Sequence, residues 1–135
     1  MTDACEMNPL ALLLGLAERL NAHVEGVAAD LSLTPAQGRL LSQLERPSRM
    51  GDVAHERLCD PSSLTTMVQR LERDGLVVRV VDPDDARARL ITLTPKGRRI
   101  RERYIDGIGD GVAVIDQLPS EHRQALVRLL DRPRA

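Results

Sequence analysis

Residues 60–81 decide the fold, and their sequence is DPSSLTTMVQRLERDGLVVRVV. The opening Asp-Pro pair is a typical helix start, with Asp as the N-cap and Pro at the first helical position. Apolar residues then recur three and four positions apart as far as Gly75, a residue type that commonly follows a helix. The next six residues are apolar or β-branched except for one arginine, which is typical of a strand. This stretch predicts a helix over residues 61–74 that leads directly into a strand over residues 76–81.

A second strand returns after a turn. Residues 82–85 are DPDD, a cluster of turn-forming residues, and residues 89–93 are RLITL, a strand-like run. Together the two strands predict a β-hairpin, which is marginal by itself and stable when it packs on helices.

Capping signals and apolar periodicity predict five further helices around this unit. Thr34-Pro35 and Thr94-Pro95 repeat the cap-plus-proline start, and residues 47–49 break the helix that begins at Thr34. The first helix is apolar on two sides, so we expect it to pack on its own domain and on a second subunit. The five helices are expected at residues 9–30, 34–45 and 52–58, from residue 95 and from residue 119.

The helix that begins at residue 95 contains Gly107, Gly109 and Gly111. A glycine in a helix interior costs up to about 1 kcal/mol relative to alanine. The spacing of the three glycines therefore predicts a kink or a close approach of another backbone.

The order of these elements leaves few alternatives among small folds. Three compact helices and a hairpin between long terminal helices predict a mainly α protein with a small β-hairpin wing (α+β). The predicted architecture is a winged helix-turn-helix with N- and C-terminal dimerisation helices. We expect a single domain over residues 1–135, with a DNA-binding lobe at about 32–96 and a helical dimerisation region at about 9–31 and 97–131.

Composition and charge agree with a helical protein that has one cationic region. The chain of 135 residues is 42% hydrophobic and has one Tyr but no Trp or Phe, so its core must be mainly aliphatic. The net charge is −1, yet residues 61–103 hold ten Lys or Arg against six acidic residues, while residues 1–30 hold one Arg against five. A local DNA-binding face would produce this asymmetry, and so would a chance run of solvated arginines.

The outward face of the helix over residues 61–74 carries side chains suited to reading bases. Hydroxyl and amide groups can donate to and accept from base edges, and arginine can bind guanine or phosphate. The helix N-terminus also offers free N–H groups to phosphate. An ordinary amphipathic surface helix is the alternative, although such helices usually contain more Glu and Lys. The candidate DNA-binding residues here are Ser62, Ser63, Thr65, Thr66, Gln69, Arg70 and Arg73.

The hairpin turn supplies a second group of candidates, Asp85, Arg87 and Arg89. Asp85 lies two residues before Arg87, close enough to hold its guanidinium in one orientation. An oriented arginine at a narrow hairpin tip can enter the minor groove, where the negative potential is strongest. A solvated polar turn is the alternative.

Three motifs, in this order and at these separations, resemble the multiple antibiotic resistance regulator (MarR) family. They are residues 62–77, Asp85-Ala86-Arg87 and Leu93-Thr94-Pro95-Lys96-Gly97. The last two match the family's wing pattern, which is Asp-x-Arg, a short strand and then Leu-Thr-x-x-Gly. The resemblance spans about residues 9–131.

The resemblance implies a homodimeric transcription factor, a repressor that binds a pseudo-palindromic operator in double-stranded DNA. It implies that residues 61–74 form the recognition helix and that Arg87 is a minor-groove arginine oriented by Asp85. The terminal helices would form the dimer interface. The family often has Arg where this chain has Thr66. The recognition helix would then read its site mainly through Ser62, Ser63, Thr65, Gln69 and Arg70.

The resemblance also implies release of DNA by a small lipophilic ligand or by oxidation of a cysteine. Such a ligand would lie between the DNA-binding lobe and the dimerisation helices, lined by the first helix and the glycine-rich one, with Tyr104 as the one available aromatic. Cys5 is the candidate for redox sensing, while Cys59 is expected to be a packing residue.

Other functional classes find little support in the residues. The three histidines are scattered without metal-site spacing, and neither a glycine-rich phosphate loop nor a nucleophile–base pair is present, so we expect no metal, no cofactor and no enzymatic activity. Without a signal-peptide pattern or a membrane-length apolar run, a cytoplasmic protein with no membrane partner is expected. Two alternatives stay open: a winged-helix module that binds another protein and has lost DNA binding, and a cysteine-based redox-sensing repressor.

Overall fold

The computed structural model describes residues 9–57, 60–110 and 115–130 of the chain. The helices with described bounds are α1 Pro9–Asp30, α2 Pro35–Gln43, α3 Met50–Arg57, α4 Pro61–Arg73, α5 Pro95–Asp110 and α6 Ser120–Leu130. The strands are β1 Ser48–Arg49, β2 Val77–Asp82 and β3 Asp85–Leu93. The predictions made for Cys5, Cys59 and Gly111 fall outside the described residues.

A complete capping box begins α2. The hydroxyl oxygen of Thr34 accepts a hydrogen bond from the backbone N–H of Gln37 (3.1 Å), and the Gln37 side chain accepts one from the backbone N–H of Thr34 (2.9 Å). Both bonds satisfy N–H groups that would otherwise lack partners at a helix start. The predicted start at Thr34-Pro35 is confirmed. The helix ends at Gln43, slightly earlier than predicted, because Leu44 leaves helical geometry and is buried in the core.

The sheet has three antiparallel strands in the order β1-β3-β2, where the sequence predicts only a hairpin. Ser48 pairs with Ile91 and Arg49 with Leu90, so β1 adds a short edge to the hairpin. The helix break predicted at residues 47–49 lies after the observed end of α2 at Gln43, and two of these residues pair with the sheet instead. A two-residue strand is too short to show alternation of apolar and polar residues, which is why periodicity does not reveal it.

The core is an aliphatic cluster with one aromatic side chain. The predicted inward residues of α4, Leu64, Val68 and Leu71, are all buried. Tyr104 of α5 is also buried, and its ring lies against Gly38 of α2, where a Cβ atom would overlap it. Tyr104 is therefore a core residue that joins α2 to α5. The other buried apolar residues are Ala28, Leu33, Leu40, Leu41, Leu44, Val53, Ala54, Leu76, Val77 and Ile91.

The apolar stripe predicted along α1 is covered by this chain near the C-terminal end of the helix. Ala28 is fully buried, whereas Leu10, Leu13 and Leu14 are 60%, 45% and 57% exposed. The first turns of α1 therefore present an open apolar surface. Despite this stripe, neither α1 nor any other described helix is long and apolar enough to cross a membrane.

Gly107 marks the place where α1 meets α5. A Cβ atom at Gly107 would lie 2.7 Å from Cγ1 of Val27, closer than real Cβ contacts. Nε2 of His23 donates a hydrogen bond to the Gly107 carbonyl oxygen at 2.8 Å. The close approach at Gly107 is therefore made by the Val27 side chain and not by a backbone as predicted, whereas a Cβ atom at Gly109 would meet nothing within 4 Å.

Gly97, in the first turn of α5, allows a test of how α5 packs on Leu76, the residue that precedes β2. A Cβ atom there would overlap the backbone carbonyl oxygen of Leu76, which cannot move without shifting the start of β2. We expect Gly97→Ala to lower the free energy of unfolding by about 1–3 kcal/mol, the usual cost of overpacking, in urea denaturation followed by circular dichroism.

Gly26→Ala is the matched control, since a Cβ atom at Gly26 in α1 meets nothing within 4 Å. Alanine at this helical position should raise the free energy of unfolding by up to about 1 kcal/mol. Equal stabilities of the Gly97 and Gly26 variants would contradict the direct packing of α5 on the residue that precedes β2.

Candidate nucleic-acid interface

The helix α4 buries its apolar face and turns its polar side chains to solvent. Leu64, Val68 and Leu71 lie in the core, as described above. Thr65 is half-buried, and the other polar residues predicted to contact DNA from this helix are exposed. The structure therefore places all of these candidates on the solvent side of α4: Ser62, Ser63, Thr65, Thr66, Gln69, Arg70 and Arg73.

The first-turn N–H groups of α4 receive no side-chain cap bond from the N-cap residue. Asp60 occupies the N-cap and Pro61 the first helical position, as predicted. The Asp60 carboxylate accepts a hydrogen bond from the Ser62 hydroxyl and makes no side-chain cap bond to the first-turn N–H groups. These N–H groups carry the positive end of the helix dipole, which attracts anions such as phosphate.

The two threonine hydroxyls of α4 are oriented by their own helix. Thr65 Oγ1 donates to the Pro61 carbonyl oxygen at 2.9 Å, and Thr66 Oγ1 donates to the Ser62 carbonyl oxygen at 3.1 Å. With their hydrogens directed at the backbone, both hydroxyls keep oxygen lone pairs available as acceptors. They are therefore suited to donor groups such as base amino groups.

The carboxylate of Glu72 is turned from α4 towards the sheet. Glu72 Oε1 lies 2.5 Å from Arg79 Nε in β2, and about one-third of each side chain is exposed. The pair joins α4 to β2 and neutralises the carboxylate. The solvent side of the helix C-terminus consequently keeps the positive charges of Arg70 and Arg73.

A second ion pair lies where β2 enters the turn. Nε of Arg49 donates to Asp82 Oδ2 at 2.6 Å, and the backbone N–H of Asp84 donates to Asp82 Oδ1 at 2.9 Å. The Asp84 N–H, and after it the Arg49 guanidinium, hold the pKa of the buried Asp82 carboxyl below its usual value, although burial acts in the opposite direction. Asp82 is therefore an anion at neutral pH, and the pairing is lost only as the pH falls through that lowered pKa.

At the tip of the turn, Asp85 contacts Arg87 differently from the prediction. Asp85 Oδ1 accepts a hydrogen bond from the backbone N–H of Arg87 at 3.0 Å, and no described ion pair joins the two side chains. The structure thus shows a main-chain contact in place of the expected side-chain contact, and the role of Asp85 in orienting the Arg87 guanidinium stays a prediction. An aspartate two residues before an amide can close an Asx turn onto the backbone, here through one of its two carboxylate oxygens.

The guanidinium of Arg89 is held against the turn, whereas that of Arg87 is not. Nη1 of Arg89 donates to the carbonyl oxygens of Ala86 and Ala88 at 3.2 and 3.3 Å. Arg87 is exposed, and its guanidinium has no partner among the described residues. Arg87 is therefore the cation at the hairpin tip that is free to meet a ligand.

Thr94 ties the end of α4 to the start of α5. Its hydroxyl donates to the Gly75 carbonyl oxygen at 2.5 Å and accepts from the Gly97 N–H at 3.0 Å, while Lys96 Nζ donates to the Asp74 carbonyl oxygen at 3.0 Å. Gly75 has a φ of 74°, in the left-handed region that favours glycine after a helix. The Leu-Thr-x-x-Gly motif therefore fixes α4 relative to the long helix α5.

A cavity adjoins the solvent face of α4. Its volume is about 290 Å³, and it is lined by Thr34, Gln37, Ser63, Thr66, Met67 and Arg70. Within the described ranges, no group of three or more His, Cys, Asp or Glu residues is placed to hold a metal ion.

Comparison with known proteins identifies the family. A family model described as MarR family matches residues 31–88, from the end of α1 to the beginning of β3. The homoprotocatechuate degradative operon repressor of Escherichia coli is 32% identical over 122 residues, which cover 88% of this chain and 82% of that protein. The chain belongs to the MarR family. The resemblance predicted from the sequence is thereby confirmed.

Two further similarities bear on the fold and on the family. The transcriptional activatory protein BadR of Rhodopseudomonas palustris is 39% identical over 75 residues, which span 52% of this chain and 43% of that protein. The solved structure of a MepR variant from S. aureus, bound to an oligodeoxyribonucleotide, has a TM-score of 0.67 and 21% identity. The match covers 93% of this chain and 94% of that one, which shows a shared fold.

Family membership settles the coarse function. The predicted winged helix-turn-helix is confirmed, with a three-stranded sheet in place of a simple hairpin. As a MarR-family member, the protein is a DNA-binding transcription regulator and not an enzyme.

Proposed function

We propose that this MarR-family protein is a dimeric repressor that binds a pseudo-palindromic operator in double-stranded DNA. In this proposal α4 enters the major groove and the β2–β3 hairpin, called the wing from here on, reaches the minor groove. The observation that carries the proposal is the exposed polar face of α4, followed directly by a hairpin that carries the exposed Arg87. The DNA-bound MepR structure and the repressor name of the E. coli relative support it.

The proposed contacts divide into base reading and backbone or groove binding. Arg87 would enter the minor groove, and Asp85 would act through the main chain by closing the turn that holds Arg87. Arg89 would lie on the flank of the wing, where the turn carbonyls hold it. The α4 residues proposed to contact DNA are Ser62, Ser63, Thr65, Thr66, Gln69, Arg70 and Arg73.

We assign the terminal helices to the dimer interface. The DNA-binding lobe is about residues 32–96, and the dimerisation region is about 9–31 and 97–131 of a single domain over 1–135. Support comes from the exposed leucines at the start of α1 and from Val127 of α6, which is 61% exposed. A dimer of this kind would place two copies of α4 in successive major grooves, with half-sites about 10 bp apart from centre to centre. A regulator of chromosomal DNA works in the cytoplasm, which is the location we propose.

A small lipophilic effector is the proposed inducing signal. An open surface groove between α2 and α4, called the cavity here, is the candidate site, because Ser63, Thr66 and Arg70 line it and are also proposed DNA contacts. A ligand there would occupy the same face of α4 that the operator needs. The pocket expected from the sequence, lined by α1 and α5 between the lobes, stays a prediction, and so does oxidation of Cys5.

Arg87→Ala tests the DNA-binding proposal. The probe is a duplex selected from random sequence by the unmodified protein. We expect the substitution to weaken binding about tenfold or more in a gel-shift titration, since specific arginine–DNA contacts contribute about 1–3 kcal/mol. Circular dichroism and the oligomeric mass should stay unchanged, because no described residue depends on the Arg87 guanidinium.

The matched control is Arg103→Ala, which removes an exposed arginine from α5 and should leave operator affinity nearly unchanged. Equal affinities of the Arg87 variant and the unmodified protein would remove Arg87 from the mechanism. If the unmodified protein binds no duplex even at low salt, the alternative of a protein-binding winged helix is favoured instead.

Light scattering tests the dimer. At micromolar concentration we expect twice the mass of one chain, and we expect Leu14→Glu, which places a charge on the open face of α1, to shift the mass towards the monomer. Val81→Glu is the control, because Val81 is 53% exposed, much like Leu14, but lies on the wing. A monomeric unmodified protein, or a dimer insensitive to Leu14→Glu, would contradict the proposed interface.

Thermal unfolding with a panel of substituted phenols tests the effector. A ligand that binds only the folded protein raises the melting temperature according to its concentration and affinity. We expect at least one phenol to raise the melting temperature and to release DNA, and Met67→Phe, which fills the cavity between α2 and α4, to abolish both effects. A ligand response that survives Met67→Phe would place the effector site elsewhere.

A further inference from the structure

The guanidinium of Arg49 is bound through one of its three nitrogens. Nε donates to Asp82 Oδ2, while Nη1 and Nη2 have no hydrogen-bond partner among the described residues. The Arg49 side chain is 46% exposed, whereas Asp82 is 5% exposed. Arginine–carboxylate pairs that serve as clamps commonly use two parallel hydrogen bonds. Here the terminal nitrogens, with four N–H groups, remain available for another acceptor.

Asp82 is fixed from two sides. Its Oδ1 accepts the backbone N–H of Asp84 in the turn, and its Oδ2 accepts Nε of Arg49. Each carboxylate oxygen therefore has a partner within the protein, and the carboxylate is held to the backbone of the turn. Because Asp82 is held by the turn, the orientation that it gives to the planar Arg49 guanidinium depends on the position of the wing.

The pair lies between two parts of the proposed DNA-binding surface. Arg49 ends β1, its backbone pairs with Leu90 of β3, and α3 begins at the next residue. Asp82 ends β2, directly before the turn that leads to Arg87. Arg49 thus crosses the sheet from the helical side to the start of the wing turn.

We propose that Arg49 binds a phosphate of the DNA backbone beside the wing, and that Asp82 is the positioning residue that aims its Nη groups at this phosphate. The inference rests on the proposed DNA-binding function. A phosphodiester offers two acceptor oxygens, which match the two terminal nitrogens of a guanidinium whose third nitrogen is already bound. A contact of this kind fixes the register of the protein on the duplex and does not read bases.

The sign of one substitution separates this proposal from simple electrostatics. Asp82→Asn removes a buried negative charge beside the proposed DNA-binding surface, so long-range attraction alone would strengthen binding. The positioning role predicts the opposite, because asparagine releases the Arg49 guanidinium from its fixed orientation. We expect operator affinity to fall about threefold or more, and Arg49→Ala to lower it about tenfold.

The matched control is Asp84→Asn in the same turn. It removes an equal charge at an exposed position and leaves the backbone N–H that binds Asp82 in place. We expect this variant to bind the operator as tightly as the unmodified protein or more tightly. Circular dichroism and oligomeric mass are measured for each variant. If Arg49→Ala unfolds, Arg49→Lys replaces it, because lysine keeps the positive charge but lacks the two terminal nitrogens of the guanidinium.

Salt dependence and a modified duplex distinguish a phosphate contact from an anchor of the wing. Loss of one phosphate contact lowers the slope of log K against log[salt] by about 1, and we expect this for Arg49→Ala. We then scan the operator with single uncharged methylphosphonates. When the methylphosphonate replaces the phosphate that Arg49 contacts, the unmodified protein and the Arg49→Ala variant should bind that duplex with equal affinity.

Two failures can be told apart. If the unmodified protein binds no duplex at low salt, both the proposed DNA-binding function and this inference are contradicted. If it binds, but Asp82→Asn matches Asp84→Asn or Arg49→Ala leaves the salt slope unchanged, only the role of Arg49 and Asp82 is overturned.

Discussion

The hydroxyl of Thr94 connects the two halves of the molecule. It donates to the carbonyl that follows α4 and accepts from the first turn of α5, while the Thr94 backbone N–H donates to the Leu76 carbonyl at 3.0 Å. Gly97 allows α5 to lie directly on Leu76, so α4, the wing and α5 meet at one point. Since these hydrogen bonds join the end of α4 to the start of α5, we expect α4 and the wing to move with α5. In a dimer built on the terminal helices, the angle between subunits would set the distance between the two copies of α4.

The sequence predicts the helices and the buried face of α4 because both follow from local chemistry. The capping box of Thr34 and the proline starts depend on neighbouring residues, and the spacing of Leu64, Val68 and Leu71 is set by the helix itself. The strand β1 was missed since two residues show no periodicity. The Arg49–Asp82 pair was missed because 33 positions separate its members, and only the sheet brings them together.

Three acidic side chains near the proposed interface bind groups of the protein itself. Glu72 binds Arg79, Asp82 binds Arg49, and Asp85 binds a backbone amide of the turn. These three carboxylates therefore help to organise the wing in a chain whose net charge is −1. Among the described ion pairs, Asp85 is not joined to Arg87; its Oδ1 instead accepts the backbone N–H of Arg87.

The aromatic content of the chain has a spectroscopic consequence. Tyr104 is the one aromatic side chain among Phe, Trp and Tyr in the sequence, and it is buried where α5 packs on Gly38 of α2. Its ultraviolet fluorescence and near-ultraviolet dichroism therefore originate from a single contact in the core. These optical signals would change when α2 separates from α5, without any label. They would not change when the wing moves and leaves this contact intact.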